Sequence, residues 1–267
     1  MSGGRVGVAG GQGFIGAHVV AGVAGAESFG RSGPAEGVYD AIVWAAGRRS
    51  NDAAELALAH VDAPLAALAR VRAGGRFVYC SSGEVYGPAP VPFREAQAPD
   101  PRSPYAHAKL RGEAALAAAA AAADVTLTVL RLAVVYGPGQ GGAMLLPSLV
   151  AALRRGERIP MTRGEQTRDF VHVDDVVRAS LAALAPGAHG GLYNVGSGVE
   201  TRVADAATLL ARALGGDAAV ALLGLGDLPY REGEQMRYLL DGTRAHAALG
   251  FTAHVALSDG LARLVAS

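Results

Sequence analysis

Tyr105 and Lys109 stand four residues apart in Ser103-Pro104-Tyr105-Ala106-His107-Ala108-Lys109, a spacing that puts both side chains on one face of a helix. A phenol with an ordinary pKa of about 10 is a poor acid or base near neutrality. A lysine ammonium on the same face favours the phenolate and draws that pKa down, so the pair predicts proton transfer. Ser82 follows the apolar run Arg76 to Ser81 (RFVYCS) and is placed to hydrogen-bond a carbonyl oxygen presented to Tyr105. Of 24 basic residues only Lys109 is a lysine. A lone lysine in an arginine-rich chain points to a task for a compact ammonium whose pKa can shift.

A second group of residues speaks for a phosphate. Gly10, Gly13 and Gly16 lie in GGQGFIG, directly after the run Arg5 to Ala9 (RVGVA). In a strand–turn–helix setting such a loop brings backbone close to a pyrophosphate, with Phe14 and Ile15 opening the helix aimed at it. No Lys-Ser or Lys-Thr follows, which excludes a Walker phosphate loop. Sites that prefer NAD usually carry an acid after the second strand, to hold the ribose 2′-hydroxyl. Here the strand Ala26 to Gly30 is followed by Arg31 and Ser32, with no acid from Phe29 to Ala35, and Glu27 lies too early in the strand. Arg31 suits a 2′-phosphate, so the expectation is NADP(H) in preference to NAD(H). Ala45, near the end of the apolar strand Asp40 to Ala46, joins the candidate cofactor contacts.

These side chains need a scaffold, and the pattern supplies one. Helices are expected at Gln12 to Val23, Asp52 to Arg72 and Pro104 to Ala123, alternating with the strands above and with Val125 to Leu132. Alternation of this kind predicts a Rossmann-like, doubly wound parallel α/β sheet. Further on, helices are expected at Ala143 to Arg155, Asp174 to Leu184 (capped by Asp174), Val203 to Leu214 and Leu257 to Val265. Strands are expected at Arg168 to Val173 and Gly191 to Val195. No linker separates the parts. One compact unit is expected, mainly 1–140 for a dinucleotide and mainly 141–267 as a small C-terminal α/β substrate lobe.

The composition closes off other classes. The chain has 267 residues, 51% of them apolar, and 24 basic side chains balance 24 acidic ones. Disorder is excluded, and net charge gives no case for nucleic acid or an anionic membrane. Cys80 is the only cysteine, which excludes an intrachain disulfide and fits a reducing compartment. Ala114 to Ala123 is too short to span a bilayer, and the start lacks a basic leader before an apolar run. A cytoplasmic protein is expected, with no membrane and no nucleic-acid partner. No histidine pair forms a metal set, and His172 beside Asp174 and Asp175 reads as a capped strand-to-helix junction. His107 faces away from Tyr105 and Lys109, and Cys80 reads as core.

The loop, the strand end at Ser82 and the Tyr-x-x-x-Lys together resemble the extended short-chain dehydrogenase/reductases, in their NAD(P)-dependent sugar epimerase/dehydratase group. Val135-Tyr136-Gly137-Pro138 is similar to the group's VYGP turn, and Arg168-Asp169-Phe170-Val171-His172-Val173-Asp174 to its RDxxHVxD segment. Leu192-Tyr193-Asn194-Val195-Gly196-Ser197 and Pro229-Tyr230-Arg231 with Asp241 resemble later signatures. The resemblance implies that Ser82, Tyr105 and Lys109 are catalytic. It also implies that Lys109 holds the nicotinamide ribose and that Gly10, Gly13 and Gly16 carry the pyrophosphate. Arg168 and Arg231 match positions that grip a nucleotide sugar's diphosphate. A homodimer through helices 52–72 and 104–123 is implied as well.

Three departures refine the expected reaction. Gly83 replaces the Asp of the dehydratases' Asp-Glu pair, leaving Glu84 alone as a substrate-side carboxylate or a brace of the turn. Arg31 to Asp40 is too short for the third strand and helix, so the second strand is expected at the sheet edge beside an open adenine side. Val134 stands where relatives carry an asparagine. An exchangeable cofactor suits a net reductase. The expectation is NADPH-dependent reduction of a keto group, at C4, of a nucleotide-diphosphate-linked deoxysugar. The rivals are an NAD-dependent 4-epimerase or 4,6-dehydratase and a non-catalytic NADP(H)-binding protein.

Overall fold

The computed structural model describes residues 4–34, 36–142 and 144–267. Its strands are β1 (Val6–Ala9), β2 (Glu27–Phe29), β3 (Tyr39–Trp44), β4 (Val71–Ser82), β5 (Thr126–Leu132), β6 (Val134–Tyr136), β7 (Ile159–Met161), β8 (Thr167–His172), β9 (Gly191–Val195), β10 (Glu200–Arg202) and β11 (Leu223–Leu225). The helices are α1 (Phe14–Gly22), α2 (Ala53–Ala57), α3 (Ala63–Leu68), α4 (Pro104–Ala122), α5 (Leu145–Arg154), α6 (Val173–Leu184), α7 (Val203–Val220), α8 (Thr243–Leu249) and α9 (Leu257–Ala266). A π-helical turn, Leu58–Asp62, joins α2 to α3.

A six-stranded sheet in the order β2-β1-β3-β4-β5-β9 forms the centre, with every pairing parallel. Its inner strands are apolar runs because both faces are covered. Val8, Ile42, Val43 and Phe77 are fully buried, and each contributes about 1.5–3 kcal/mol of burial. β2 is the sheet edge, as expected. Only residues 30–38 lead from β2 to β3, and the described ones hold neither strand nor helix. The chain leaves β1 for β2 on one side and returns to β3 on the other. That reversal opens a crevice at the carboxyl ends of the strands, where doubly wound folds bind ligands.

The later elements build smaller sheets, β10-β8-β6 and β11-β7, over a second apolar cluster that includes Leu149, Leu153, Phe170 and Leu210. β9 nevertheless pairs with β5 in the main sheet. α7 is interrupted at Gly215 and Gly216, so its regular part ends at Leu214, where the expected helix ends. Two boundaries differ from expectation. The helix expected through Arg72 stops at Leu68, because Val71 pairs with Tyr39 and begins β4 early. The cap of α6 is not Asp174 but His172, whose Nδ1 accepts from the Asp174 backbone N–H at 3.2 Å. Asp174 sits in the first turn instead, paired with Arg263 at 2.9 Å. No helix among the described residues is long and apolar enough to cross a membrane.

Candidate active site

The carboxyl ends of β1, β3, β4 and β5 open into one cavity of about 1340 Å³. The glycine loop forms its floor. Gly10 has a positive φ of 79°, and a Cβ there would lie 2.7 Å from the Ala46 Cα. At Gly16 a Cβ would lie 2.1 Å from the Gly10 carbonyl oxygen, so α1 can approach the loop only with glycine at this position. Gly10, Gly13, Phe14 and Ile15 line the cavity with Ala45, Gly30 and Arg31, whereas Gly16 packs behind the loop. Ser32 is exposed beside Arg31 and is not part of the wall. A cradle of this shape fits a dinucleotide pyrophosphate against the N-terminus of α1. Glu27 is unavailable to a ribose, since its carboxylate pairs with Arg5 at 2.5 Å and accepts from the Tyr39 hydroxyl at 2.9 Å. Among the described residues Arg31 makes no ion pair.

Ser82, at the end of β4, and Tyr105 and Lys109, on α4, line the same cavity. Ser103 caps α4 by accepting from the Ala106 N–H at 3.1 Å, and Pro104 starts the helix, which places Tyr105 in its first turn. Lys109 follows one turn later and is buried, donating from Nζ to the Cys80 carbonyl at 2.6 Å. Ser82 ends β4, and its hydroxyl accepts from the Glu84 N–H at 3.2 Å. One turn beyond Lys109, Glu113 forms a buried ion pair with Arg131 at 2.6 Å and accepts from the Ser81 hydroxyl. That buried pair braces both α4 and the end of β4 beneath the reactive groups. His107 is exposed, and Cys80 is buried with its thiol pushed up to about 11 by burial.

Burial pushes the Tyr105 phenol up to about 12, with the Glu84 carboxylate adding to the rise and the Arg49 guanidinium and hydrogen bonding to Ser82 opposing it. Lys109 Nζ lies 5.9 Å from the ring centroid and donates to the Cys80 carbonyl. Burial pushes Lys109 itself down to about 8, with the Glu113 carboxylate among the groups that resist. The cation nearest the phenol ring is Arg49, whose Cζ stands 4.3 Å from the centroid. Arg49 is a cavity residue that motif spacing did not reveal. Its position just past the end of β3, beside the switch point, was the available signal.

The substrate-side residues divide. Glu84 lines the cavity, but its carboxylate pairs with Arg49 and lies 3.4 Å from the Ser103 hydroxyl. Arg168 also lines it, held by the Gln235 carbonyl at 2.8 Å and by Glu234 at 2.6 Å. Arg231 is exposed and not part of the wall, whereas its neighbours Glu232 and Gly233 are. Asp169 is structural, its buried carboxylate accepting from Ser197 N–H and hydroxyl at 2.7 and 2.6 Å. A side chain at residue 83 has no room, since a Cβ on Gly83 would lie 2.2 Å from the Tyr238 hydroxyl.

This arrangement has known counterparts. Residues 26–196 match the model of the NAD dependent epimerase/dehydratase family. The chain belongs to that family. Among its relatives are a UDP-glucose 4-epimerase of Mycolicibacterium smegmatis, 36% identical over 75% of this chain and 64% of the relative, and a GDP-6-deoxy-D-mannose reductase of Pseudomonas aeruginosa, 32% identical over 70% and 64%. A dTDP-glucose 4,6-dehydratase of Streptomyces niveus is 32% identical over 72% and 56%. The alignments thus span 56–64% of these relatives' lengths. Among solved structures, RMD from Pseudomonas aeruginosa complexed with NADPH superposes with a TM-score of 0.84 at 27% identity, over 99% of this chain and 98% of that one. A double mutant of DesIV, a dTDP-glucose 4,6-dehydratase from Streptomyces venezuelae, with NAD bound, superposes at 0.85 and 27% identity, over 98% and 96%. Solved structures of this fold therefore include both NADPH-bound and NAD-bound proteins.

Proposed function

We propose that this family member is an NADPH-dependent reductase acting on the keto group, at C4, of a nucleotide-diphosphate-linked deoxysugar. The observation that carries the reading is the edge of the sheet at β2. Arg31 lines the cavity there with no ion-pair partner among the described residues, and Glu27, the nearby acid, is engaged by Arg5 and Tyr39. A free guanidinium suits a ribose 2′-phosphate, and an open edge suits a cofactor exchanged at every turnover.

When bound, the reduced cofactor supplies the hydride. Gly10, Gly13, Phe14, Ile15, Arg31 and Ala45 would hold it along one wall, with Ser32 beside Arg31 and Gly16 behind the loop. Ser82 hydrogen-bonds the keto oxygen, and Tyr105 donates its phenolic proton to that oxygen as the carbonyl becomes an alcohol. Lys109 would hold the nicotinamide ribose. Arg168 is assigned to the diphosphate, with Arg231 on the adjoining turn. We also assign the chain to the cytoplasm and to a homodimer through the helices within 52–72 and 104–123, in the first of which Leu58 is 61% exposed.

The test is consumption of NADPH, with NADH in parallel, by purified protein given a thymidine-diphosphate 4-keto-6-deoxyhexose. Preferential NADPH oxidation supports the reading. Tightly retained NAD without turnover would favour the epimerase or dehydratase seen among the relatives. Replacing Arg31 by Ala should lower kcat/KM with NADPH about 10–100-fold, the loss of one charge-assisted phosphate contact. The value with NADH should change less than about twofold.

The dehydratase alternative makes its own prediction at Gly83. Gly83→Asp places a carboxylate against the buried Tyr238 hydroxyl, so it should destabilise the fold by about 1–3 kcal/mol rather than complete an acid pair. A melting scan should show a loss of several degrees, and assay for a 4-keto-6-deoxy product should show none.

A further inference from the structure

We propose that Val134 is a specificity-determining residue: the strip from Leu132 to Val134 seats the C6 methyl of the sugar and rejects a C6 hydroxymethyl. This deepens the reading of the substrate as a nucleotide-linked deoxysugar and rests on that reading. The register of the two sheets locates the strip. In the main sheet Leu132 pairs with Ser82, so the two stand side by side at the reacting end of the cavity. In the small sheet Val134 pairs with Phe170, and Arg168 lies two residues before Phe170 on the same strand. Paired residues, and residues two apart on a strand, share a face of the sheet, so Val134 and Arg168 point to one side. Val134 is half-buried against the apolar cluster of Phe170 and still lines the cavity. Leu132 and Val134 lie at most about 7 Å apart along the chain. The strip is therefore a short link between the reacting end and the wall that carries Arg168. A hexose held at one carbon by Ser82 and through its diphosphate by Arg168 lies against it.

The strip offers a hydroxyl nothing to bond. Leu132, Ala133, Val134 and Val135 all line the cavity, joined by Met144 from just ahead of α5. Their backbone groups are engaged. The Tyr238 hydroxyl reaches the Leu132 carbonyl at 3.5 Å, the Ala133 N–H donates to the Val195 carbonyl at 2.9 Å, and Val134 is in the ladder with β8. Gln140 donates from Nε2 to the Val135 carbonyl at 2.9 Å and keeps its Oε1 buried. Gln235 gives its Nε2 to the Gly87 carbonyl at 2.8 Å. A C6 hydroxyl laid here would leave water without gaining a partner, whereas a methyl covers apolar surface at no such cost. The assignment also gives a reason for valine where the resembling family carries asparagine. An amide would present a donor and an acceptor to a hydroxyl, and valine presents neither.

The test compares two ligands that differ by one oxygen, 6-deoxyglucose and glucose. Each is carried on thymidine, uridine and guanosine diphosphate, with the free nucleoside diphosphates as reference. Affinities are read by calorimetry on the whole protein saturated with NADP⁺, with NAD⁺ in a parallel arm. On the nucleotide that binds, the 6-deoxy sugar should bind about 10–100-fold more tightly, the effect of leaving one hydroxyl unpaired in an apolar seat. Val134→Thr keeps the shape and adds a hydroxyl, so it should cut that preference at least about fivefold, and Val134→Asn should cut it further. Affinity for the free nucleoside diphosphate should stay within about twofold in both variants, the sign of an intact site. Equal affinity for the two sugars in the parent overturns the proposal without any variant. A preference that survives both Val134→Thr and Val134→Asn overturns it as well.

Failure of the wider reading looks different. A protein that binds neither the sugars nor any of the nucleoside diphosphates defeats the nucleotide-sugar assignment, and the role of Val134 with it. A protein that prefers the 6-deoxy ligand through Val134, yet oxidises no NADPH when given the keto sugar, keeps the specificity assignment and defeats the reductase.

Discussion

Replacing Tyr105 by Phe should lower kcat for keto-sugar reduction by about 10²–10⁴-fold, the range for removing a general acid from a proton-transfer step. The change deletes one oxygen and keeps the ring that Arg49 covers at 4.3 Å and that His60 meets edge-on. The fold should therefore melt within a degree or two of the parent. Cofactor affinity, read by NADPH fluorescence, should change less than about threefold, because the substitution leaves the glycine loop, Arg31 and Lys109 in place. The magnitude follows from the burial of the phenol. A donor that burial pushes up to about 12 gives up its proton reluctantly, so the cations around it have much to do. A Tyr105→Phe protein that kept more than a tenth of its turnover would remove Tyr105 from the reaction and return the proton to solvent or another group.

What was legible in the sequence was mainly what is local. Tyr105 and Lys109 could be paired because helical spacing is fixed and because Ser103 and Pro104 announce the start of the helix. The glycine loop was legible for the same reason, its strand and helix being adjacent in the chain. The edge position of β2 followed from the shortness of residues 31–40, which left no length for another crossover. Arg49 was hidden because its partners, Glu84 and Tyr105, arrive from two other elements, and no spacing rule joins a loop after β3 to the turn after β4. Proximity on a helix face also says nothing of the Cys80 carbonyl, to which the Lys109 ammonium donates. The three-residue strands β6, β7, β10 and β11 were missed because pieces so short have no readable period and are defined by their partners. Likewise Arg231 looked equivalent to Arg168 by motif, yet only Arg168 faces the cavity.

Lys109→Met should abolish useful turnover and yet stabilise the protein near pH 7. Lys109 is 3% exposed, and burial pushes its ammonium from its ordinary 10.5 down to about 8. A folded value below the unfolded one means that the unfolded chain binds the proton more tightly. The resulting penalty is fully present below about pH 8 and is relieved as pH rises toward 10.5. At neutrality it amounts to about 3 kcal/mol. Methionine keeps the aliphatic stem and removes the charge, while the lost hydrogen bond to the Cys80 carbonyl offsets about 1–1.5 kcal/mol. The net gain of about 2 kcal/mol should appear as a rise in Tm of about 4–6 °C at pH 7, shrinking as pH approaches 10. Reductase activity should fall at least a hundredfold, since the same side chain is assigned to the nicotinamide ribose and adjoins Tyr105. If the variant melts lower than the parent at pH 7, the ammonium is not held at a cost, and its burial reflects structure rather than function. If it melts higher but still turns over, the lysine is not needed for the reaction. Only higher stability with lost turnover fits a buried charge retained for chemistry.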